Sequence, residues 1–296
     1  MTKLCPGCGA TNPDETEACC ECGAQIAKTA MDVLEEALLL RQQGKPKDAL
    51  NRVTEALSMD PSNVDALFTF GSLTEELGNG DQALSYYERA LEADPTHAPA
   101  LVAKGSILRD RGDVDAAVRL FDAAIASEPR FAVAYNAKGY LFQKQGLYEQ
   151  ALKCYNKAQE ADPEFDLPWF NTGVCYALMN DNEKAEGMFE RALLLEPMNA
   201  GAWFYRANAL ANLERYEDAV INYDKGLVID DTRAAAWDGR GLALASQYKW
   251  PDALESFDKA LSLIPTISSR TTTRGTFIII CKNLTTRLKT STKLSK

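Results

Sequence analysis

The feature that most constrains this chain is a period of 34 residues that runs through most of it without an insertion. An acid followed by proline recurs as Asp60-Pro61, Asp94-Pro95, Glu128-Pro129, Asp162-Pro163 and Glu196-Pro197, and Pro265 stands two periods after the last. Alanine recurs in the same step at Ala49, Ala83, Ala117, Ala151, Ala185, Ala219 and Ala253. A third ladder holds only small residues: Ala37, Gly71, Gly105, Gly139, Gly173, Ala207 and Gly241. A fixed period of this length makes each repeat one supersecondary unit that buries its apolar face against its neighbours.

The contents of one period predict two packed antiparallel helices. The small residue falls in the first (helix A) and the ladder alanine in the second (helix B), where short side chains let the backbones approach. Four residues after each alanine comes a large apolar side chain on the same helical face: Val53, Tyr87, Phe121, Tyr155, Phe189, Tyr223 or Phe257. The proline ends helix B, because it has no N–H to donate and restricts the residue before it. Gly44, Gly78, Gly112 and Gly146 mark the turn between the helices in the first four repeats.

This pattern resembles the tetratricopeptide repeat (TPR) family, whose consensus sets large, small and proline residues at these offsets. The resemblance covers 30–267, as units 30–63, 64–97, 98–131, 132–165, 166–199, 200–233 and 234–267. It implies an all-α, right-handed superhelical solenoid of seven helix-turn-helix units, close to one superhelical turn, with an inner groove lined by the A helices. Unit six departs most, with Gly226 for alanine and Asp231 for proline, and a looser helix exit is expected there. Lys104, Lys138, Arg206 and Arg240 stand where the family often has leucine and are expected to snorkel to the surface.

The resemblance places groove side chains at positions 2, 5, 6, 9, 12 and 13 of each unit. The first three units offer a mainly acidic set, Glu35, Arg41, Asp65, Phe68, Glu75, Glu76, Arg109 and Asp110. The later ones offer Asn136, Tyr140, Phe170, Asn171, Phe204, Tyr205, Asn208 and Asn212 as the candidate peptide-binding groove. An asparagine carries both a donor and an acceptor, so a row of them can pair with an extended peptide backbone, while the rings supply burial. The Lys and Arg with which some family members grip chaperone C-terminal tails are absent after Asn171, where Gly201 and Tyr205 stand, so such tails are disfavoured partners.

Five of the eight cysteines crowd into the first 22 residues, which points to a metal rather than to disulfides. Cys5-Pro-Gly-Cys8-Gly and Cys19-Cys20-Glu-Cys22-Gly are two C-x-x-C-G turns, and the glycine after each permits the positive φ that swings both sulfurs onto one ion. Four thiolates suit one structural Zn2+ held by Cys5, Cys8, Cys19 and Cys22; assigning Cys20 instead would turn C-x-x-C into C-x-C and misplace the sulfur. The stretch resembles the short prokaryotic zinc ribbons, and the expected ribbon is 1–26, joined to the repeats by a linker at 27–29. Iron bound as in rubredoxin is the chemical rival. Few basic residues and no aromatic platform surround the knuckle, so docking or capping is expected rather than nucleic-acid reading.

The net charge is −10, and all 42 acidic residues lie before Thr266 while seven of the 32 basic ones follow it. A body this acidic repels nucleic acid and anionic lipid, and it suits a basic or neutral protein or peptide partner. The longest strongly apolar run, Phe277 to Cys281, falls far short of the roughly 20 residues that span a bilayer. With no apolar signal core after Met1, a cytoplasmic address is expected. The segment 268–296 is basic and Thr/Ser-rich, a poor cap or a disordered end; a tail docking on the acidic body and a frameshifted or truncated end remain open beside these.

No Ser/His/Asp set, phosphate loop or His-containing metal motif is present, and His97 is the single histidine. The chain therefore reads as a non-enzymatic interaction scaffold that binds a peptide or partner helix. The alternative is a zinc- or redox-responsive regulatory module, with the knuckle signalling to the solenoid.

Overall fold

The computed structural model describes residues 2–4, 8–13, 18–23 and 28–263. The chain forms two compact units, Met1–Ala137 and Lys138–Lys296. The first opens with a two-stranded antiparallel hairpin, β1 (Thr2–Leu4) and β2 (Thr11–Pro13), in which Leu4 pairs with Thr11. Helices α1 (Ala30–Gln42), α2 (Pro46–Met59), α3 (Val64–Glu76), α4 (Gly80–Ala93), α5 (Ala98–Asp110) and α6 (Val114–Ser127) follow. The division between the units falls within α7 (Ala132–Lys144). The second unit continues with α8 (Tyr148–Ala161), α9 (Asp166–Leu178), α10 (Asn182–Leu195), α11 (Ala200–Asn212), α12 (Tyr216–Ile229), α13 (Ala234–Ser246) and α14 (Trp250–Leu263). Odd-numbered helices are the A helices and even-numbered ones the B helices. In each unit, every helix packs on the next, and α3 with α5, and α11 with α9 and α13, also meet as successive A helices.

The glycine ladder explains the pairing within a repeat. A Cβ built on Gly71 would lie 2.5 Å from Tyr87 Cε1, and at Gly105, Gly139, Gly173 and Gly241 it would lie 2.6–2.7 Å from Phe121, Tyr155, Phe189 and Phe257. Each ring thus rests directly on helix A backbone, sixteen residues before it in sequence. These rings are buried to within 1% of full coverage. Burying one is worth about 1.5–3 kcal/mol, so the ladder is a recurrent contribution to the cohesion of each repeat. Where the ring is replaced by Val53, the small residue is Ala37, and both are fully buried in the α1–α3 core.

Local chemistry sets the turns. Thr29 forms a capping box with Asp32, and Asn63, His97 and Asn199 cap α3, α5 and α11 through their side chains. The left-handed residue that ends helix A is Gly44, Gly78, Gly112 and Gly146 in turn, with φ of 72–87°. In the last three repeats Asn180, Glu214 and Tyr248 hold the same place at φ of 61–63°.

Two expectations are corrected. The exit from α12 is not looser: Asp230 has φ −140° and ψ 95°, close to Asp94 at −137° and 98°. Its Oδ1 accepts from the backbone N–H and hydroxyl of Thr232, as Asp94 does from Thr96, so the Asx turn holds the path that proline sets elsewhere. The head groups of Lys104, Arg206 and Arg240 end in ion pairs and not free in solvent. Lys104 Nζ pairs with Glu88 at 3.0 Å, Arg206 with Glu186 and Glu190 at 2.6 and 3.0 Å, and Arg240 with Asp224 at 2.6 Å. Each reaches the B helix of the preceding repeat, because carboxylates stand there sixteen residues earlier. Leucine at this position would leave those carboxylates without a cation.

Candidate functional site

Each A helix repeats a row of side chains at positions 2, 6, 9 and 13 of its unit, which helical spacing puts on one face. In the second unit this row carries open apolar side chains: Leu167 and Leu178 on α9, Tyr205 on α11 and Leu242 on α13 are 41%, 55%, 39% and 43% exposed. Since α9, α11 and α13 adjoin, these side chains share one surface. Phe170 packs edge-on to Tyr205 with ring centroids 5.5 Å apart, and the Phe189 ring lies 5.7 Å from the same Tyr205 ring, so two rings brace Tyr205.

The amides are partly committed. Asn208 accepts a hydrogen bond from the Tyr223 hydroxyl through Oδ1, and Asn212 donates through Nδ2 to Asn182 Oδ1 at 3.1 Å. Each keeps the other half of its amide, on an exposed side chain: the Nδ2 donors of Asn208 and the Oδ1 acceptor of Asn212. Asn136, Asn171 and Tyr140 are half-buried in α7 and α9, and the Lys144 ammonium sits 5.1 Å from the Tyr140 ring centre. Phe204 requires a correction, since it is buried rather than groove-lining. Gly226 stands where the other repeats carry alanine, and a Cβ there would overlap the Phe204 ring; the missing methyl is the space the ring fills. Two recesses of about 370 and 360 Å³ are lined around Asn180–Glu183 and Gly146–Gln150, at the turns between helices.

Sequence reasoning took Tyr223 only as a core ring and passed over Asp238 and Gly239. In two other repeats the helix B tyrosine donates to position 12 of its own helix A: Tyr87 to Glu75 at 2.7 Å and Tyr155 to Gln143 at 2.6 Å. The corresponding residue for Tyr223 is Ala211, which has no acceptor. The hydroxyl goes to Asn208 instead, and Gly239 makes room, because a Cβ there would collide with the Tyr223 oxygen. Burial first, and then the charge of nearby Asp238, push the Tyr223 phenol well above its ordinary pKa. Burial raises the Asp238 carboxyl as well. The signal was legible in Ala211 and Gly239, but only against the tyrosine ladder.

The acidic row of the first unit is largely self-paired. Glu76 accepts from Arg41 at 3.1 Å, Asp110 from Arg109 at 2.8 Å, and Glu75 from Tyr87. His97 caps α5 by accepting from the Ala100 N–H through Nδ1, and its Nε2 lies 3.6 Å from Asp65.

In the hairpin region the sulfurs of Cys8, Cys19 and Cys22 lie within 4.8 Å of one another, with Cys8 and Cys19 at 3.5 Å. Two thiolates on one tetrahedral zinc are separated by about 3.8 Å, given Zn–S bonds of about 2.3 Å, so the donor set fits. Cys19 is buried and Cys20 exposed, outside the group. The fully buried Asn12 joins the two turns, donating to Ala10 O and accepting from Cys20 N, both at 2.9 Å. Gly9 and Gly23, after the second cysteine of each turn, have φ of 74° and 69°. Cys5 lies outside the described residues, as does the segment 268–296. Cys154 is half-buried, while Cys175 is buried and its thiol pushed up to about 11 by burial, which suits packing and not reactivity. Among the described residues no helix is long and apolar enough to cross a membrane.

Comparison with known proteins agrees with this architecture. The chain is similar to PilF of Pseudomonas aeruginosa at 22% identity, over 72% of this chain and 96% of that one, with a TM-score of 0.65. It is similar to the Cut9–Hcn1 hetero-tetramer of the APC/C at 18% identity, over 82% of this chain and 50% of that one, with a TM-score of 0.69. To YrrB, described as a TPR protein with an unusual peptide-binding site, it is 21% identical over 64% of this chain and 97% of that one, with a TM-score of 0.54. At these identities the likeness is one of fold. No curated protein matches the chain significantly. The tetratricopeptide repeat model matches residues 34–98, 102–164, 136–181 and 178–234, more than half of the sequence, and the chain belongs to the tetratricopeptide repeat family.

Proposed function

We propose that this chain is a non-catalytic protein–protein interaction scaffold that receives an extended peptide or a partner helix on the A-helix row of its second unit. The observation that carries the reading is the shared surface of Leu167, Leu178, Tyr205 and Leu242, exposed although apolar, with the half-committed amides of Asn208 and Asn212 among them. Apolar side chains supply the burial that drives association, and the amides fix the register of a peptide backbone. The peptide-binding site for which YrrB is described supports the same use of this fold. The test is affinity capture with the full chain and with a Tyr205→Ser, Leu242→Ser variant of unchanged helicity. Partners retained by the wild type and lost by the variant are expected; an identical set from both overturns the reading.

For the hairpin region we infer one structural Zn2+ on Cys8, Cys19 and Cys22, with Cys5 as the fourth ligand. Such a site, closed by four thiolates, stabilises a segment too small to fold by burial alone. Capture before and after zinc chelation separates the two roles of the knuckle: an unchanged partner set rejects the regulatory module and leaves a fold stabiliser.

A further inference from the structure

Among the described residues, Oδ1 of Asp238 is one of three buried side-chain acceptors that have no protein donor, with Asn222 Oδ1 and Gln247 Oε1, and it alone belongs to an ionisable group. It stands at position 5 of the seventh repeat, on α13, beside the exposed row of Ala235, Leu242 and Ser246. The Tyr223 hydroxyl is close enough for the Asp238 charge to act on it, but its single proton is given to Asn208, since Ala211 offers no acceptor. The basic side chains of the region are engaged elsewhere: Arg240 with Asp224 and Ser256, and Arg233 over the Phe204 ring with Asp230 beside it. The acidic residues at the corresponding face of the first unit, Asp65, Glu75, Glu76 and Asp110, all have partners. A carboxylate with one oxygen buried away from any donor and no cation beside it costs free energy in the unbound protein, and a ligand cation on its open oxygen lowers that cost.

We propose that Asp238, with the Nδ2 donors of Asn208 beside the shared Tyr223 hydroxyl, is a specificity station for a peptide that carries an arginine or lysine side chain. The proposal rests on the peptide-groove reading above and deepens it, by naming the chemistry of one residue of the partner. Asp238 receives the guanidinium or ammonium group, Asn208 donates to a peptide carbonyl next to it, and the exposed rings and leucines of α9 and α11 cover the flanking apolar residues. The chain, with 42 acidic residues against 32 basic ones and all of the acidic ones before Thr266, draws such a peptide in.

The experiment is a random heptapeptide library displayed on phage and panned in parallel on the full chain, on Asp238→Asn, and on Tyr205→Ser, Leu242→Ser. Asp238→Asn keeps the shape, removes the charge and turns one acceptor into a donor, and circular dichroism checks that helicity is unchanged. The expected result is a wild-type pool with arginine or lysine fixed at one position. That preference disappears on Asp238→Asn, and the best peptide loses affinity by roughly tenfold or more, as when one member of a desolvated charge pair is removed. A pool without a basic position, or the same preference on Asp238→Asn, overturns the station while the groove stands if Tyr205→Ser, Leu242→Ser abolishes capture. Peptides captured equally by all three proteins, or by none, overturn both.

Discussion

A methyl group added at Gly71 would lie 2.5 Å from Cε1 and 2.8 Å from Cδ1 of Tyr87, with the Ala83 carbonyl 3.2 Å away on the same side. The ring cannot retreat, because its hydroxyl is held by Glu75. Gly71→Ala is therefore expected to destabilise the first unit by about 2 kcal/mol, overpacking outweighing the better helix propensity of alanine. Gly187→Ala is the control: it lies inside α10 with nothing within 4 Å of its added Cβ, and is expected to stabilise by up to about 1 kcal/mol. Urea unfolding of the two variants measures both; equal effects of the same sign would remove the packing explanation.

Glu214 and Tyr248 occupy at φ of 61° and 63° the turn position that glycine holds in the first four repeats. A left-handed conformation costs a side chain with a Cβ about 1–2 kcal/mol, and glycine nothing. Glu214→Gly and Tyr248→Gly are each expected to stabilise the second unit by about 1 kcal/mol. Asn180→Gly is expected to gain less, since asparagine tolerates this region. Thermal melts of the three variants check the order.

Most of the fold was legible because it is periodic. Helices start at Ala30, Val64, Ala98, Ala132, Asp166, Ala200 and Ala234, one period apart, and a glycine at position 8 can be read as the seat of the ring sixteen residues later. What escaped was coupling between ladders. Phe204 reads as a groove residue until Gly226 is seen as its missing neighbour. Arg206 reads as a surface residue until the carboxylates of Glu186 and Glu190 in the preceding repeat are placed against it. The site residue Asp238 was hidden for the same reason: its isolation follows from Ala211, 27 positions earlier. A family pattern gives the address of a side chain within its repeat, whereas its partners come from the departures of the repeat next door.

The cysteine group of the hairpin region predicts a separable response to metal removal. Chelation is expected to release about one zinc per chain and to abolish protection of the Cys19–Gly23 turn from hydrogen exchange, while the helical signal at 222 nm stays within a few per cent. Cobalt substitution checks the ligands: a tetrahedral thiolate spectrum is expected for the wild type, altered in Cys19→Ser and unaltered in Cys20→Ser. A spectrum sensitive to Cys20 would put Cys20 in the place of Cys19 as ligand, and visible absorbance from the protein as purified would point to iron.

The raised pKa of the Asp238 carboxyl makes stability itself a probe of its isolation. Burial disfavours the charged form, so the folded pKa lies above the unfolded value of 3.8. The folded state therefore binds the proton more tightly than the unfolded one. The contribution from this group is fully present below the unfolded pKa and is lost as the pH rises through the folded value. Asp238→Asn carries no charge at any pH and replaces the ionised oxygen with an amide, so it escapes that loss. The variant is expected to be more stable than the wild type at pH 7, because it spares the folded state the desolvation of a charge. The two proteins are expected to converge as the pH falls towards the unfolded pKa. Urea denaturation across that range, followed by the fluorescence of neighbouring Trp237, measures the difference directly. A variant less stable than the wild type at neutral pH would mean that the carboxylate already has a favourable partner within the chain. An advantage that does not shrink on acidification would mean that its charge is not the source.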